Sequence, residues 1–188
     1  MSRLIDRRSL LAGLAATLIL PNAAFAAKKK NFVLDPMYAP QRVAFAGYAP
    51  GTVVVVTGER FLYLVEENGV AMRYGVGIGR GALTAKGAVT VARKAEWPSW
   101  RPTDKMIAHA PGKYARYAGG MPGGPRNPLG ARAMYLYRDG RDTMLRIHGT
   151  TEPWSIGQAV SNGCVRMVND HVIDLYERVP VGATVLIV

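Results

Sequence analysis

One cysteine, Cys164, serves a chain of 188 residues. A single thiol cannot form an intramolecular bridge, which excludes the paired-disulfide framework common in exported proteins. Three roles stay open for it: a buried small hydrophobe, an intermolecular link, or a reactive group. Acid is scarce as well. Thirteen Asp and Glu stand against 24 Lys and Arg, a formal charge of +11. Inside a cell that balance would suggest nucleic acid; outside it suits anionic envelope polymers and peptides with free carboxylates. Histidine is limited to His109, His148 and His171, so few groups can act as a base near neutral pH. Zinc prefers four ligands at tight local spacings, and no such cluster of cysteine and histidine exists, so no metal site is expected. Long apolar runs are missing too. The run from Leu10 to Leu20 falls short of the roughly 20 residues that span a bilayer, so no stable membrane span is expected. The chain also has no internal repeat and no low-complexity segment, hence no sign of a second module.

What is present begins with an export signal. Residues 1–26 have a basic start, the apolar run just named, and small residues at Ala24-Phe25-Ala26. Arg7-Arg8 followed by Ser9-Leu10-Leu11 favours twin-arginine export over an ordinary secretory signal. Both routes place the protein in the periplasm or cell envelope. Cleavage after Ala26 would remove three arginines and one aspartate and lower the charge to +9. Residues 27–50 then read as an N-terminal extension and 51–188 as one domain.

From Thr52 onward the pattern is β-rich. "TVVVVTG", "RFLYLVE", "VAMRYGVGIG" and "GAVTVARK" are strand candidates, with hairpin chemistry at Glu67-Asn68-Gly69. "AMYLYR" and "TMLRIH", separated by Asp139-Gly140, and the terminal "ATVLIV" continue the series. One helix is expected after the cysteine, capped by Asn169 or Asp170. Val172, Ile173, Tyr176 and Val179 would lie at helical spacing before Pro180 ends it. Regular strands with few helices imply a mainly β fold, a sandwich or partly closed barrel with one short C-terminal helix. Four prolines and six glycines between Ala110 and Gly130 exclude a continuous strand or helix there. Such a segment is either a disordered insert or an ordered loop along the rim of a site, and its strand-like flanks favour the second. Trp97-Pro98-Ser99-Trp100, just upstream, suits a core corner or a binding wall.

The thiol sits in "SNGCVR". A cysteine attacks a carbonyl as thiolate, so it needs a base or a positive setting, and donors for the oxyanion that forms. Asn162-Gly163 makes a tight turn and leaves backbone N–H groups open to a ligand. Arg166 adds positive potential or could hold a substrate carboxylate. His148 ends the strand "TMLRIH", and Gly149 would let a substrate come close. Two other histidines compete as bases: His109, in the apolar run "MIAHAPG", could be a packed residue, and His171, in the first turn of the expected helix, could face solvent. A cysteine in a glycine turn beside an arginine has a poor core address, which favours the reactive role.

His-Gly and, sixteen residues after the histidine, the cysteine of Ser-x-Gly-Cys-x-Arg resemble the signature of the L,D-transpeptidase catalytic domain, a family of cell-wall cysteine enzymes of the YkuD and ErfK type. "RKAEWPSWRPTDKM", "GGPRNPLGARAMYLY" and "VNDHVIDLYERVPVGATVLIV" extend the likeness to Gram-negative envelope members, over most of residues 51–188. The resemblance implies acyl transfer without a cofactor. Cys164 would attack the diaminopimelate carbonyl of a tetrapeptide stem, release D-alanine, and pass the thioacyl group to a second stem's amine, forming a 3–3 cross-link. His148 would be the base, Gly163 and Cys164 the oxyanion hole, and Ser161, Asn162 and Arg166 would shape the loop or bind substrate. Asn162 stands where many members carry histidine, which leaves His148 as the histidine of the motif. The implied partners are peptidoglycan stem peptides and, as another acceptor, an envelope lipoprotein lysine; nucleic acid is not among them. Transfer to water, as in an L,D-carboxypeptidase, or to a D-amino acid is an alternative, and a non-catalytic wall-binding module is a further one.

Overall fold

The computed structural model describes residues 32–159 and 163–188. The export signal, Ser161 and Asn162 lie outside these residues. The strands are β1 (Gln41–Ala44), β2 (Val53–Val56), β3 (Phe61–Val65), β4 (Val70–Gly75), β5 (Gly77–Ile78), β6 (Gly87–Glu96), β7 (Arg132–Arg138), β8 (Arg141–His148), β9 (Val165–Arg166) and β10 (Thr184–Ile187). The helices are α1 (Arg80–Thr84), α2 (Asp104–His109), α3 (Pro111–Tyr114) and α4 (Asn169–Arg178). All strands join one sheet in the order β1-β4-β3-β2-β10-β6-β7-β8-β9-β5. It does not close, since β1 and β5 are its two ends. The mainly β expectation holds. β1 lies upstream of residue 51 and pairs with β4, so the sheet takes in part of residues 27–50.

Alternation along the valine-rich strands divides the core in two. Val53, Val55, Leu62 and Leu64 face the main cluster, while Val54, Phe61, Tyr63 and Val65 face a smaller one on the other side of the sheet. Left-handed turns close the hairpins as their residue types dictate: Asn68 (φ 60°) and Gly69 (φ 70°) before β4, Asp139 (φ 49°) and Gly140 (φ 72°) before β8. The helix after the cysteine is α4. Its Val172 and Leu175 are fully buried in the main cluster, each contributing about 1.5–3 kcal/mol. Lys94 ends it by donating from Nζ to the carbonyls of Tyr176 and of Val179 (2.8 Å).

One local expectation fails, and one pair of alternatives is decided. Neither Asn169 nor Asp170 caps α4; Val168 holds the cap position without a side-chain bond. Asn169 Oδ1 is engaged elsewhere, accepting from Ala131 N at 3.0 Å. The tryptophans are not a core corner either. Trp97 is exposed at a left-handed residue (φ 39°), and Trp100 is half-buried in a cleft wall. Helices α1, α2 and α3 have four to six residues, too short to show the 3.6-residue periodicity that makes a helix legible.

The proline- and glycine-rich segment is ordered. Trp100 and Met121 form an antiparallel bridge, with backbone bonds of 2.9 and 2.7 Å. Between them the chain makes α2, α3 and a 3-10 turn at Ala115–Tyr117. The buried Asn127 then holds the return limb, donating to the carbonyls of Met121 and Pro122 and accepting from Leu129 N at 2.9 Å. A chain so pinned at its base stands over the sheet as a lid.

Candidate active site

A cleft of about 1020 Å³ opens between the lid and the face of β7, β8 and β9. Its floor follows from strand register. β9 pairs in parallel with β8, Ile147 opposite Val165 and His148 opposite Arg166. One step back, Arg146 stands beside Cys164. Residues two apart on a strand share a face, so Arg146, His148, Cys164 and Arg166 all belong to the same surface, and each of them lines the cleft. Tyr135 of β7, opposite Arg146, extends it.

His148 is buried at 5% exposure. Its Nδ1 lies 2.5 Å from the Gly149 carbonyl. A carbonyl only accepts, so Nδ1 carries the proton and Nε2 keeps its lone pair. Burial, with a smaller push from the charges of Arg166 and Arg146, lowers the His148 pKa to about 4; the Gly149 carbonyl and, less, the Leu129 carbonyl oppose this only in part. The ring is therefore neutral at pH 7. No carboxylate hydrogen-bonds it among the described residues, and a backbone carbonyl takes the orienting role.

Cys164 is half-buried. Burial raises its pKa, while the Arg146 N–H and the charges of Arg146 and Arg166 pull it down. At rest the cleft thus holds a thiol and a neutral imidazole on one face. The backbone of the cysteine is held from the other side, with Gly79 N donating to the Cys164 carbonyl at 2.9 Å. Gly81 of α1 packs so closely on Gly163 that a Cβ there would stand 2.9 Å from the Gly163 Cα.

A β-bulge shapes the near wall. Register slips after Leu136, and Met144 adopts φ 61°. Asp142 clamps it, accepting from Met144 N at 2.8 Å and from Arg146 through both carboxylate oxygens, at 2.6 and 2.8 Å. The bulge aims the Met144 carbonyl toward Cys164 Sγ at 4.0 Å. Arg146 also lies over the Tyr135 ring, 4.4 Å from its centre. Arg166 is ion-paired with Glu152 at 2.8 Å. The loop carrying Glu152 is turned by Thr150, which accepts from Glu152 N, and by Ser155, which donates to the Glu152 carbonyl.

Of the residues proposed from sequence, the structure brings Cys164, Gly163, His148 and Arg166 together around the cleft. Gly149 lies beside them, but Asn169 Oδ1, not open space, occupies the place of its missing Cβ. This glycine serves packing. His171 is half-buried against Tyr74, with ring centres 6.4 Å apart, and does not face solvent; it does not line the cleft. His109 is the reverse case. It is exposed at the end of α2 and lines the cleft instead of packing in the core. Sequence reasoning missed Arg146, Asp142, Glu152 and Tyr135. For Arg146 a signal existed, since two-residue alternation in "TMLRIH" puts it on the same face as His148. Among the described residues no three of His, Cys, Asp and Glu group as metal ligands.

The family model of the YkuD L,D-transpeptidase catalytic domain matches residues 50–187. The putative L,D-transpeptidase YqjB of Bacillus subtilis is 38% identical over 142 residues, covering 73% of this chain and 72% of its own. The chain belongs to the L,D-transpeptidase family. The probable L,D-transpeptidase ErfK/SrfK of Escherichia coli is 36% identical over 140 residues. That match covers 73% of this chain but 44% of ErfK/SrfK, so the chain spans less than half the length of that curated relative. A crystal structure from Brucella melitensis, described as a probable carnitine operon oxidoreductase, shares 52% identity with a TM-score of 0.58. It covers 80% of this chain and 93% of its own.

Proposed function

We propose that this transpeptidase-family chain is an exported peptidoglycan L,D-transpeptidase with Cys164 as nucleophile and His148 as its base. The β8–β9 register carries the reading, because it sets a thiol and a neutral imidazole on one face of the same cleft. A stem peptide would enter with its diaminopimelate carbonyl at Cys164 Sγ. His148 Nε2 takes the thiol proton as sulfur attacks, since neither group is charged at rest. The tetrahedral oxyanion is met by backbone N–H groups at Gly163 and Cys164. His148 then returns the proton to the departing D-alanine amine, leaving a thioester. An acceptor amine attacks that carbonyl, its proton passes to His148, and the C–S bond breaks to give a 3–3 amide and the free thiol. Arg166 and Arg146 hold the field that favours thiolate as it forms. Ser161 and Asn162, which precede Gly163 in the sequence, would shape the loop or bind substrate.

Residues 1–26 would direct the protein to the periplasm by the twin-arginine route; no helix among the described residues is long and apolar enough to cross a membrane. A dithiol redox role, which the description of the Brucella relative invites, lacks a second cysteine to pair with Cys164.

The deciding experiment is mass spectrometry of the purified protein incubated with disaccharide-tetrapeptides, beside Cys164→Ala. Cross-linked dimers that require Cys164 are expected. Tripeptide without dimers would reassign the enzyme as an L,D-carboxypeptidase. Product formed equally by Cys164→Ala would overturn the nucleophile.

A further inference from the structure

Strand β8 does not run straight past the nucleophile. Leu145 pairs with Leu136 and Asp142 with Tyr137, which leaves Thr143 and Met144 without partners on β7. Residues outside the ladder must be held by other bonds, the more so because Met144 has φ 61°, unfavourable for a residue with a Cβ. Asp142 supplies the hold. Its Oδ1 accepts from Met144 N at 2.8 Å and from Arg146 Nη1 at 2.6 Å, and its Oδ2 accepts from Arg146 Nη2 at 2.8 Å. Thr143 adds a smaller share, with Oγ1 donating to the Leu136 carbonyl and accepting from Leu145 N at 3.2 Å. Partial burial works against a charge on Asp142, but these bonds and the charges of Arg146 and Arg93 outweigh it. The carboxyl titrates below its ordinary value and is ionised at neutral pH.

What the bulge carries faces the sulfur. The Met144 carbonyl lies 4.0 Å from Cys164 Sγ, at the reach of an S–H donor. Arg146 stands beside Cys164 in the parallel register, and its main-chain N–H bonds the same sulfur, favouring the ionised form. A carbonyl only accepts and an amide N–H only donates. The two groups therefore serve the two protonation states of one atom, and both belong to residues that Asp142 binds.

We infer that Asp142 is a positioning residue for the nucleophile: by pinning the β8 bulge it holds the Met144 carbonyl and the Arg146 N–H at Cys164 Sγ, the first for the thiol and the second for the thiolate. The inference rests on Cys164 being the nucleophile, as proposed above. Asp142 does not line the cleft and acts through its two neighbours. Its own charge opposes that action, since a carboxylate near the sulfur disfavours thiolate, while the charges of Arg146 and Arg166 favour it. Besides these three, the ionisable groups nearest the sulfur on the sheet side are His148, neutral above about pH 4, Glu152, paired to Arg166, and Arg80 of α1. Charge and position pull the thiol in opposite directions, so substitutions can separate them.

The test follows iodoacetamide alkylation of the full chain by mass spectrometry across the thiol range, about pH 6 to 11. A single cysteine makes the reading specific. Arg146→Lys keeps both charges but loses the fork that bridges the two Asp142 oxygens. Its alkylation midpoint is expected to rise by about one pH unit, the lower end of what a bond to a charged group is worth. Asp142→Asn removes the charge and keeps an acceptor for Met144 N, whereas Asp142→Ala removes both. The midpoint should lie about one pH unit higher in Asp142→Ala than in Asp142→Asn, by the same reasoning. Glu177→Gln, exposed on α4, controls for net charge and should leave the midpoint in place.

An unmoved midpoint in Arg146→Lys would overturn the inference, even where the unfolding temperature falls, because Asp142 would then only support the fold. Equal midpoints in the two Asp142 variants would overturn it by reducing Asp142 to a charge. Should Asp142→Ala fail to fold, Arg146→Lys decides by itself. Alkylation needs no peptide substrate. If the unaltered protein forms no thioacyl adduct with a tetrapeptide, the acyl-transfer reading fails, while the midpoints still judge Asp142 separately.

Discussion

The two walls of the cleft are built on opposite physical terms. On the sheet wall His148 is buried, its tautomer set by one carbonyl, and the arginines beside it are tied to carboxylates. On the lid wall Lys113 and Arg116 are exposed and rest on aromatic rings, with no carboxylate partner among the described residues. The first arrangement suits groups whose protonation and position must be held for reaction at one atom. The second suits recognition, where charge must stay available to a ligand. Burial thus sets the two walls of a single cleft apart, and a change on the sheet wall should cost far more than one on the lid.

That contrast can be tested in descending order of effect. Cys164→Ser should abolish thioacyl formation by intact-mass measurement while thermal unfolding stays within a few degrees of the original. Residual turnover near the unaltered level would remove the thiol from the mechanism. His148→Asn should slow acylation by about 10²–10⁴-fold, the usual worth of a positioned base. His109→Asn, on the lid, and His171→Asn, on α4, should each stay within a few-fold, and a comparable loss in either would move the base. Gly149→Ala drives a Cβ into Asn169 Oδ1 and should destabilise the fold by about 1–3 kcal/mol in denaturant titration. Thr103→Ala removes the cap of α2, where Oγ1 accepts from Met106 N at 3.2 Å. About 1 kcal/mol of local helix stability should go, read as faster amide exchange across residues 104–109 with little change in global unfolding.

A pH experiment sharpens the same contrast. His148 titrates near 4 when folded and near 6.5 when unfolded, so between those values the unfolded state binds the extra proton. Stability should therefore be fully present above about pH 6.5 and be lost as pH falls toward 4. The loss is of the order of 3 kcal/mol at most for this group. His148→Asn should flatten that part of the stability profile, whereas His109→Asn should not.

Several parts of this molecule were legible before any coordinates. Valine-rich alternation and the Asn68-Gly69 and Asp139-Gly140 turns announce strands and hairpins, because both signals are local in the chain. Cys164, His148 and Arg166 stood out by residue type and spacing. The cap of α4 was misread because Asn169 found a tertiary partner, Ala131 N, stronger than its local option. His109 and His171 exchanged environments for a similar reason: an apolar neighbourhood in sequence says little about which side of a short helix meets solvent. Asp142 and Glu152 could not be singled out, since a carboxylate is informative only beside the arginine it neutralises.

By itself, then, the sequence determined the chemistry on offer and the strands that would carry it: one thiol, few bases, an excess of cations, and a β-rich domain that belongs to the L,D-transpeptidases. Only the tertiary structure decided how those groups are arranged. The parallel pairing of β9 with β8 brings Cys164 beside Arg146 and Arg166 beside His148, across a separation that no local pattern encodes. In the fold of residues 101–120 Lys105, Lys113 and Arg116 have no carboxylate partner among the described residues, while the sheet wall neutralises Arg146 and Arg166. Register and burial are collective properties of packed strands, so charge availability and proton affinity emerge only when the chain closes on itself.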